Sequence, residues 1–306
     1  MLNKNISNNF KADITAIVLT YNEEKHIERC ILSINQFVKK IIIIDSFSND
    51  KTLDIAKKYN VEVLQNIFIN HSKQLNWGLE KIKFNTSWIL RIDADEIISK
   101  NFKEKIHKIL NNCSSEISGI SLNRKLIFLN KEITIKGFFP HKTLRIWKTG
   151  KGYCEDAWMD EQIKVDGKLL DFDDCITDYN LNGLSWWIKK HKNYSIREAI
   201  NYLIIKTNRK KFLENNRDKS KLNKNLKYKI YYNFPLFIRP FLLFFYSYFL
   251  KLGFFNGWKG LIFCFLEFIW FRFLVDVNIY QIRKIIRKNK ISLEEAIKIK
   301  YGYTKI

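Results

Sequence analysis

Between residues 13 and 111, solid apolar runs alternate with amphipathic ones. Ile14–Leu19 is apolar and β-branched, which predicts a buried strand. Asn22-Glu23-Glu24 then opens a stretch in which Ile27, Cys30, Ile31 and Ile34 recur at helical spacing. Ile41–Ile44 predicts a second strand ending at Asp45. Ser48-Asn49-Asp50 supplies turn and N-cap chemistry for a helix through Leu53, Ile55, Ala56 and Tyr59. Val61–Leu64 predicts a third strand, His71–Ile82 a helix with Leu75, Leu79 and Ile82 on one face, and Trp88–Ile92 a fourth strand ending at Asp93. Strands apolar on both faces and separated by amphipathic helices imply a parallel sheet covered on both sides. In such sheets a ligand sits beyond the carboxyl ends of the strands.

The pattern changes further along. Residues 117–180 hold shorter strand-like runs, and residues 185–230 read as helix rich in Lys and Asn. Residues 234–277 are the most apolar part, but their longest uncharged stretch, Pro240–Leu250, is 11 residues long. A spanning helix needs about 20 apolar residues, so no transmembrane segment is expected. Gly253 and Gly257 predict a break between two helices. Lys251, Lys259, Glu267 and Arg272 do not share one helical face, so the stretch is not a clean amphipathic helix. Two readings stay open: a monotopic hairpin with its aromatics in the lipid interface, or a buried helical pair or subunit contact.

Charge sharpens this division. The 306 residues carry a formal +22, and Trp186–Ile306 holds 26 Lys and Arg against 7 Asp and Glu, a net +19. The front of the chain resembles an ordinary soluble domain. The rear is basic and aromatic, and such a surface attracts phosphate on nucleic acid, anionic lipid or a phosphorylated glycolipid. A coding bias toward Lys, Asn and Ile accounts for part of the charge but not for its location. The five cysteines are scattered singly, without a CxxC, which fits reduced thiols in cytoplasm. Ile14–Tyr21 is too short for a signal-peptide core.

The polar residues collect at three predicted strand ends: Thr20-Tyr21-Asn22-Glu23, Asp45-Ser46 and Asp93-Ala94-Asp95-Glu96. Two aspartates one residue apart, on a turn leaving a strand, can face one hard divalent cation that neutralises a diphosphate. A solvated acidic turn is the plainer alternative. Glu23 can accept from a pyrimidine and Tyr21 can stack on it, or Asn22 and Glu23 simply start a helix. Asp45 can accept from base or ribose, or close an Asx turn. Lys73, beside His71 on the helix after the third strand, can reach phosphate or lie exposed.

Three segments resemble the N-terminal motifs of the family 2 glycosyltransferases: Ile17-Val18-Leu19-Thr20-Tyr21-Asn22-Glu23-Glu24, Ile43-Ile44-Asp45-Ser46-Phe47-Ser48-Asn49-Asp50-Lys51-Thr52, and Trp88-Ile89-Leu90-Arg91-Ile92-Asp93-Ala94-Asp95-Glu96. Phe47 stands where that family usually has a small residue, and Lys51 where it has Gly. The resemblance covers residues 12–112. It implies an α/β chain of the GT-A fold, with a Rossmann-like, mostly parallel central sheet. It also implies an inverting transferase using a sugar nucleotide, usually uridine-linked, with Mg²⁺ or Mn²⁺. By motif, Tyr21 and Glu23 contact the base, Asp45 the base or ribose, Asp93 the ribose or metal, and Asp95 the metal.

The rear half is similar to a narrower subgroup, the bacterial lipopolysaccharide-core and capsule glycosyltransferases. Thr143-Leu144-Arg145-Ile146-Trp147, Trp158-Met159-Asp160-Glu161, and Asp178-Tyr179-Asn180-Leu181 with His191, Tyr194 and Arg197-Glu198-Ala199 carry that likeness. So does Gly253-Phe254-Phe255-Asn256-Gly257-Trp258-Lys259-Gly260. Related enzymes often have His where Asp178 stands. An inverting displacement needs a base to take the acceptor hydroxyl's proton, placed across from the leaving diphosphate. Asp160 is the first candidate and Glu161 the second; a surface acidic turn is the plain alternative. Arg145 can bind phosphate or an acidic acceptor, or form an ion pair across the sheet. Trp158 and His191 are candidate acceptor contacts, although the Trp186-Trp187 pair beside His191 reads more readily as core.

The reading is therefore a catalytic domain at 1–184 and a basic, aromatic helical extension at 185–306. The extension holds the enzyme on an anionic membrane surface, at the inner face of the cytoplasmic membrane. The donor is a nucleoside-diphosphate sugar, UDP-linked first, and the acceptor a glycan or glycolipid. An enzyme of the same fold that loads polyprenyl phosphate is the nearest alternative. A basic nucleic-acid-binding protein is the alternative from another class; carboxylates at the strand ends would repel a phosphate backbone, so no nucleic-acid partner is expected. A non-catalytic membrane scaffold is a further one.

Overall fold

The computed structural model describes residues 11–99, 101–155, 161–207 and 231–303. The chain divides into two compact units, one formed by the described residues up to Asn182 and one by those from Gly183 onward.

The first unit is a mixed sheet with helices on both faces. Strands β1 (Ala12–Thr20), β2 (Val38–Asp45), β3 (Glu62–Gln65) and β4 (Trp88–Asp93) alternate with α1 (Ile27–Ile34), α2 (Thr52–Lys57) and α3 (His71–Lys81). β5 (Glu96–Ile98) and α4 (Phe102–Asn112) follow. Then come β6 (Ile117–Phe128), β7 (Lys131–Ile133), β8 (His141–Lys148), β9 (Gly152–Cys154), β10 (Ile163–Val165) and β11 (Lys168–Tyr179). The sheet order is β3-β2-β1-β4-β8-β6-β11-β5, with β7 on β6; β9 and β10 form a separate pair. The first four strands are all parallel. β8 enters antiparallel to both β4 and β6, whereas β6 and β11 run parallel. This is the α/β, GT-A type of architecture that the motifs imply.

Alternation along β1 explains why its run is unbroken. Ile14, Ala16 and Val18 pack on one face with α1, Phe37 and Phe102. Ile17 and Leu19 pack on the other with Ile42, Ile44 and Leu75 of α3. Both faces are buried, so between Ile14 and Leu19 the one polar side chain is Thr15, whose hydroxyl is hydrogen-bonded to that of Thr86 at 2.7 Å. Gly78 lets α3 lie close on the sheet: a Cβ there would stand 2.1 Å from Ile44 Cδ1.

The second unit is helical. α5 (Leu184–Thr207) packs against a long helix, α8 (Arg272–Asn289), and α9 (Leu293–Tyr301) closes their core around Ala199, Ile200, Val275, Ile279, Ile282 and Ile297. α9 starts with a Ser292/Glu295 capping box and ends at Gly302 in the left-handed region. Between α5 and α8, α6 (Arg239–Phe245) runs into a π-helical stretch, Tyr246–Leu250. The chain then breaks at Leu252, where φ is 63°. After the 3₁₀ turn Gly253–Asn256 it resumes as α7 (Gly257–Cys264). A π-helical stretch, Phe265–Phe271, carries it into α8. The break falls where the two glycines predict it. Among the described residues, no helix is long and apolar enough to cross a membrane.

A buried ion pair joins α6 to α8. Asp276 accepts from Arg239 Nε at 2.8 Å and from the Phe237 amide at 2.8 Å. The Arg239 guanidinium lies 4.8–5.3 Å from the ring centres of Tyr202, Tyr231 and Tyr232. Such a pair survives burial only when both partners are present and well bonded.

Candidate functional site

Register brings the predicted strand ends together. Thr20 pairs with Asp45 across β1 and β2, and Leu19 pairs with Asp93 across β1 and β4. Strand order reverses at β1, with β2 and β3 on one side and β4 on the other. The crevice beyond β1 and β4 is thus a topological switch point.

Two loops above these ends are laced to each other. The Asn22 amide donates to Ser48 Oγ at 2.8 Å, the Asn49 amide to Asn22 Oδ1 at 2.9 Å, and the Glu23 amide to Thr52 Oγ1 at 2.7 Å. Asn22 and Phe47 both hold positive φ, 56° and 60°, so the turn where Phe47 replaces a small residue is left-handed there. Asp45 is fully buried. It accepts from Thr20 Oγ1 at 3.0 Å, Ser48 Oγ at 2.5 Å, Ser48 N at 2.9 Å and Gln65 Nε2 at 3.2 Å. These four bonds use the capacity of a carboxylate, so a base or ribose would meet Asp45 only by displacing one. Tyr21 is 57% exposed at the rim.

His26 is a residue that the sequence reading passed over. Its Nε2 accepts from the Leu181 amide at 2.8 Å, so Nδ1 carries the proton that faces Glu23 Oε2 at 2.5 Å. The ring thereby ties the first loop to the segment after β11. A His three residues after Glu at a helix start was the available signal.

The acidic turn after β4 separates into members with different surroundings. Asp93 lies 3.4 Å from Arg91 Nη2 and 3.5 Å from both terminal nitrogens of Arg145. Burial pushes its carboxyl up, but Arg91 and then Arg145 outweigh this and hold it well below the usual carboxylate range. Glu96 is fully buried and points into the sheet. It bonds Arg145, Arg124 Nε at 2.9 Å, and the Asp93 amide at 3.0 Å. Burial raises its pKa, and the Asp93 charge adds to that. Arg124 also pairs with Asp178, which stands opposite Glu96 in the β5–β11 register. Glu96 and Asp178 are thus built into a network of ion pairs.

Asp95 stands apart from that network. Its Oδ2 accepts from Asn180 Nδ2 at 3.0 Å, and among the described residues its Oδ1 has no hydrogen-bond partner. The turn's backbone is fixed from two sides: the Tyr179 amide donates to Asp95 O at 3.0 Å, and Arg29 of α1 donates to the same oxygen at 3.2 Å. The donors offered are hard carboxylate oxygens, which suits Mg²⁺ or Mn²⁺. Among the described residues no three His, Cys, Asp or Glu side chains converge as a closed metal cage.

Other sequence candidates fall as follows. Arg145 is buried in β8 and makes the ion pair across the sheet. Lys73 is exposed in the first turn of α3, its amide capped by Asn70 Oδ1 at 2.8 Å. Trp158 and Asp160 lie outside the described residues. Glu161 is described and lies 3.6 Å from Arg91, the arginine that also faces Asp93. His191 belongs to the helical unit. It stacks on Trp187 at 3.5 Å, with Nδ1 at 2.9 Å from the Trp187 carbonyl, and burial lowers its pKa to about 4. Its surroundings are helix packing. Arg91 and Arg124 are the functional residues that sequence reasoning left without a role. Arginines inside otherwise apolar strands were the signal, since a buried cation must have a partner.

Comparison with known proteins gives a consistent family. Over 96 residues the chain is 38% identical to an uncharacterized glycosyltransferase of Rickettsia bellii, covering 31% of this chain and 32% of that protein. Over 147 residues it is 26% identical to the lipopolysaccharide core biosynthesis glycosyltransferase LpsC of Rhizobium meliloti, covering 46% and 53%. The match thus spans about a third to a half of the length of these relatives. Among solved structures, S. aureus TarS aligns at TM-score 0.38 and 19% identity, covering 61% of this chain and 40% of that one. Glucosyl-3-phosphoglycerate synthase of Mycobacterium tuberculosis, with Mn²⁺ and UDP bound, aligns at 0.31 and 21%, covering 37% and 43%. The family described as Glycosyl transferase family 2 matches residues 15–151, from β1 to the turn after β8. With the register of the strand ends and the acidic turn, residues 15–151 are the part of the chain that is similar to glycosyl transferase family 2.

Proposed function

We propose that this chain is an inverting hexosyltransferase that takes a sugar from a nucleoside diphosphate, uridine-linked first, and adds it to a hydroxyl of a lipid-linked glycan. The observation that carries this is the register placing Thr20, Asp45 and Asp93 at one edge of the parallel strands. There Tyr21 and Glu23 would receive the base, and Asp95 with Asp93 would hold Mg²⁺ or Mn²⁺. The ion supplies charge neutralisation for the leaving group. Arg91 and Arg145 keep Asp93 ionised for that task. Lipopolysaccharide core or capsule is the acceptor class that the LpsC likeness supports.

Glu161, the second candidate for the base, lies 3.6 Å from Arg91, the arginine that also faces Asp93. Asp160 then acts as the general base toward the acceptor hydroxyl. The exposed aromatics of the helical unit and its positive charge support a peripheral position on the cytoplasmic membrane face.

A panel of nucleotide sugars with Mn²⁺, read by the nucleoside diphosphate released, tests the reading. UDP release that chelator abolishes is the expected result. Tight, salt-sensitive retention on DNA together with no hydrolysis of any donor would overturn it. Unchanged turnover in Asp160→Asn would shift the acceptor to a polyprenyl phosphate, which is already an anion and needs no base.

A further inference from the structure

In the helical unit two adjoining clefts flank the C-terminal half of α8. One, of 390 Å³, is lined by Leu203, Lys206, Thr207, Arg283, Ile286 and Arg287. The other, of 530 Å³, is lined by Leu236, Tyr280, Arg283, Lys284, Arg287 and Lys288. Arg283 and Arg287 belong to both. Together the clefts collect five cations, Lys206, Arg283, Lys284, Arg287 and Lys288, and among the described residues none of the five has a carboxylate partner. The unit's buried arginines contrast with this: Arg239 and Arg272 each have one.

Helix ends explain part of the cluster. Arg287 and Lys288 lie in the last turn of α8, and Lys206 in the last turn of α5, where cations meet the negative end of the helix dipole. The dipole fades within a turn, so it does not account for Arg283 and Lys284. Arg283 is half-buried, donates to Tyr202 Oη at 3.4 Å, and lies 5.8 Å from the centre of that ring. It is a positioned guanidinium, and guanidinium forks match phosphate oxygens.

The stripe of α8 that leads to the clefts indicates which phosphate. Phe273, Tyr280 and Arg287 follow at seven-residue steps on one side of the helix, spread over about 21 Å. Phe273 and Tyr280 are exposed, and Phe237 packs on both, with ring centres at 5.3 and 6.1 Å. An apolar, aromatic surface thus passes directly into a cationic cleft. A free phosphate needs no such approach, whereas a lipid presents acyl chain and phosphate in that order.

We propose that the paired clefts around Arg283 and Arg287 are a phosphate-binding site for the headgroup of an anionic membrane phospholipid. This rests on the reading that the helical unit works at a membrane. It goes beyond diffuse attraction by assigning the contact to one place.

The test is co-sedimentation of the full chain with phosphatidylcholine vesicles, with and without phosphatidylglycerol. Arg283→Gln/Arg287→Gln is compared with Lys189→Gln/Lys298→Gln, which removes the same charge from exposed positions elsewhere in the unit. At about fivefold per lost cation near the surface, the cleft pair should weaken binding to anionic vesicles roughly 30-fold, and the control pair less than about threefold. Lys284→Gln/Lys288→Gln, both exposed, repeats the measurement if the first pair unfolds, with thermal unfolding as the check. Equal losses in cleft and control variants would overturn the proposal in favour of smeared charge. So would inorganic phosphate binding to the clefts without any anionic-vesicle preference, which would mark a soluble ligand. Release of UDP is read separately: its absence with every donor would sink the transferase reading while leaving the vesicle result standing.

Discussion

Asp93, Asp95 and Glu96 are three carboxylates within four residues, and their neighbours give them three tasks. Glu96 points inward and anchors Arg124 and Arg145. Asp93 is kept charged by Arg91 and Arg145. Among the described residues, Asp95 keeps one carboxylate oxygen with no hydrogen-bond partner. Replacing Asp95 by Ala should therefore lower donor turnover by roughly 10²–10³-fold, a loss typical of one preorganised charge-stabilising group. Thermal stability should change little. Steady-state UDP release and a melting curve check both halves. Arg145→Met should behave oppositely, leaving buried carboxylates uncompensated and destabilising the fold by about 3–5 kcal/mol, measurable by denaturant unfolding. The sequence made the cluster visible through its place after an apolar strand. It did not separate the three roles, because these depend on arginines contributed by β4, β6 and β8, and the pairing of those strands is not written in local pattern.

At the level of elements, legibility follows burial. β1, β2 and β4 and the helices around them are readable because both sheet faces are covered there, so the strands are mostly apolar and the helices amphipathic. β6 and β11 are 12-residue strands that read as fragments. Their apolar runs are interrupted by Arg124, Asp174 and Asp178; Arg124 pairs with Glu96 and Asp178 within the sheet, and Asp174 with Lys105 of α4. The long helix α5 was foreseen, but not what its His191 does. His191 is neutral in its stack on Trp187, with a pKa near 4 against 6.5 for the free side chain. Between those values the unfolded chain binds a proton that the folded chain refuses. The stability tied to this site is thus full above about pH 6.5 and falls as pH drops toward 4. The loss should be about 2 kcal/mol at pH 5. Denaturant unfolding at pH 7.5 and 5 measures it, and His191→Gln should flatten the slope. The Arg239–Asp276 pair gives a second check on the same unit. Asp276→Ala should destabilise by about 3–5 kcal/mol, whereas Arg239→Met with Asp276→Leu should restore most of the loss.

Across the whole molecule, the apolar surface of the helical unit is out of keeping with an ordinary soluble surface. Phe255 is 74% exposed, Trp258 65% and Leu250 63%, and they cluster at the break between α6 and α7 with Phe245, Phe249 and Phe254. Lys251 and Lys259 lie over the rings of Tyr246 and Trp258, at 5.2 and 5.7 Å, in the manner of cations that keep their heads at a lipid–water boundary. The sequence left two readings of this stretch, lipid contact or a buried helical pair. The exposed rings are what favours lipid. If they enter a bilayer, each buried aromatic should contribute about 1.5–3 kcal/mol. Phe255→Ser with Trp258→Ser should then weaken vesicle binding by at least roughly 100-fold. Salt separates this contribution from that of the cationic clefts. At about 1 M salt the screening length is near 3 Å. Electrostatic attraction is then largely removed, and the wild-type chain should keep a residual, salt-resistant affinity that the Ser variant lacks. Complete release of the wild-type chain by salt would assign the whole attachment to charge, and would return the aromatic surface to the alternative of contact between protein chains.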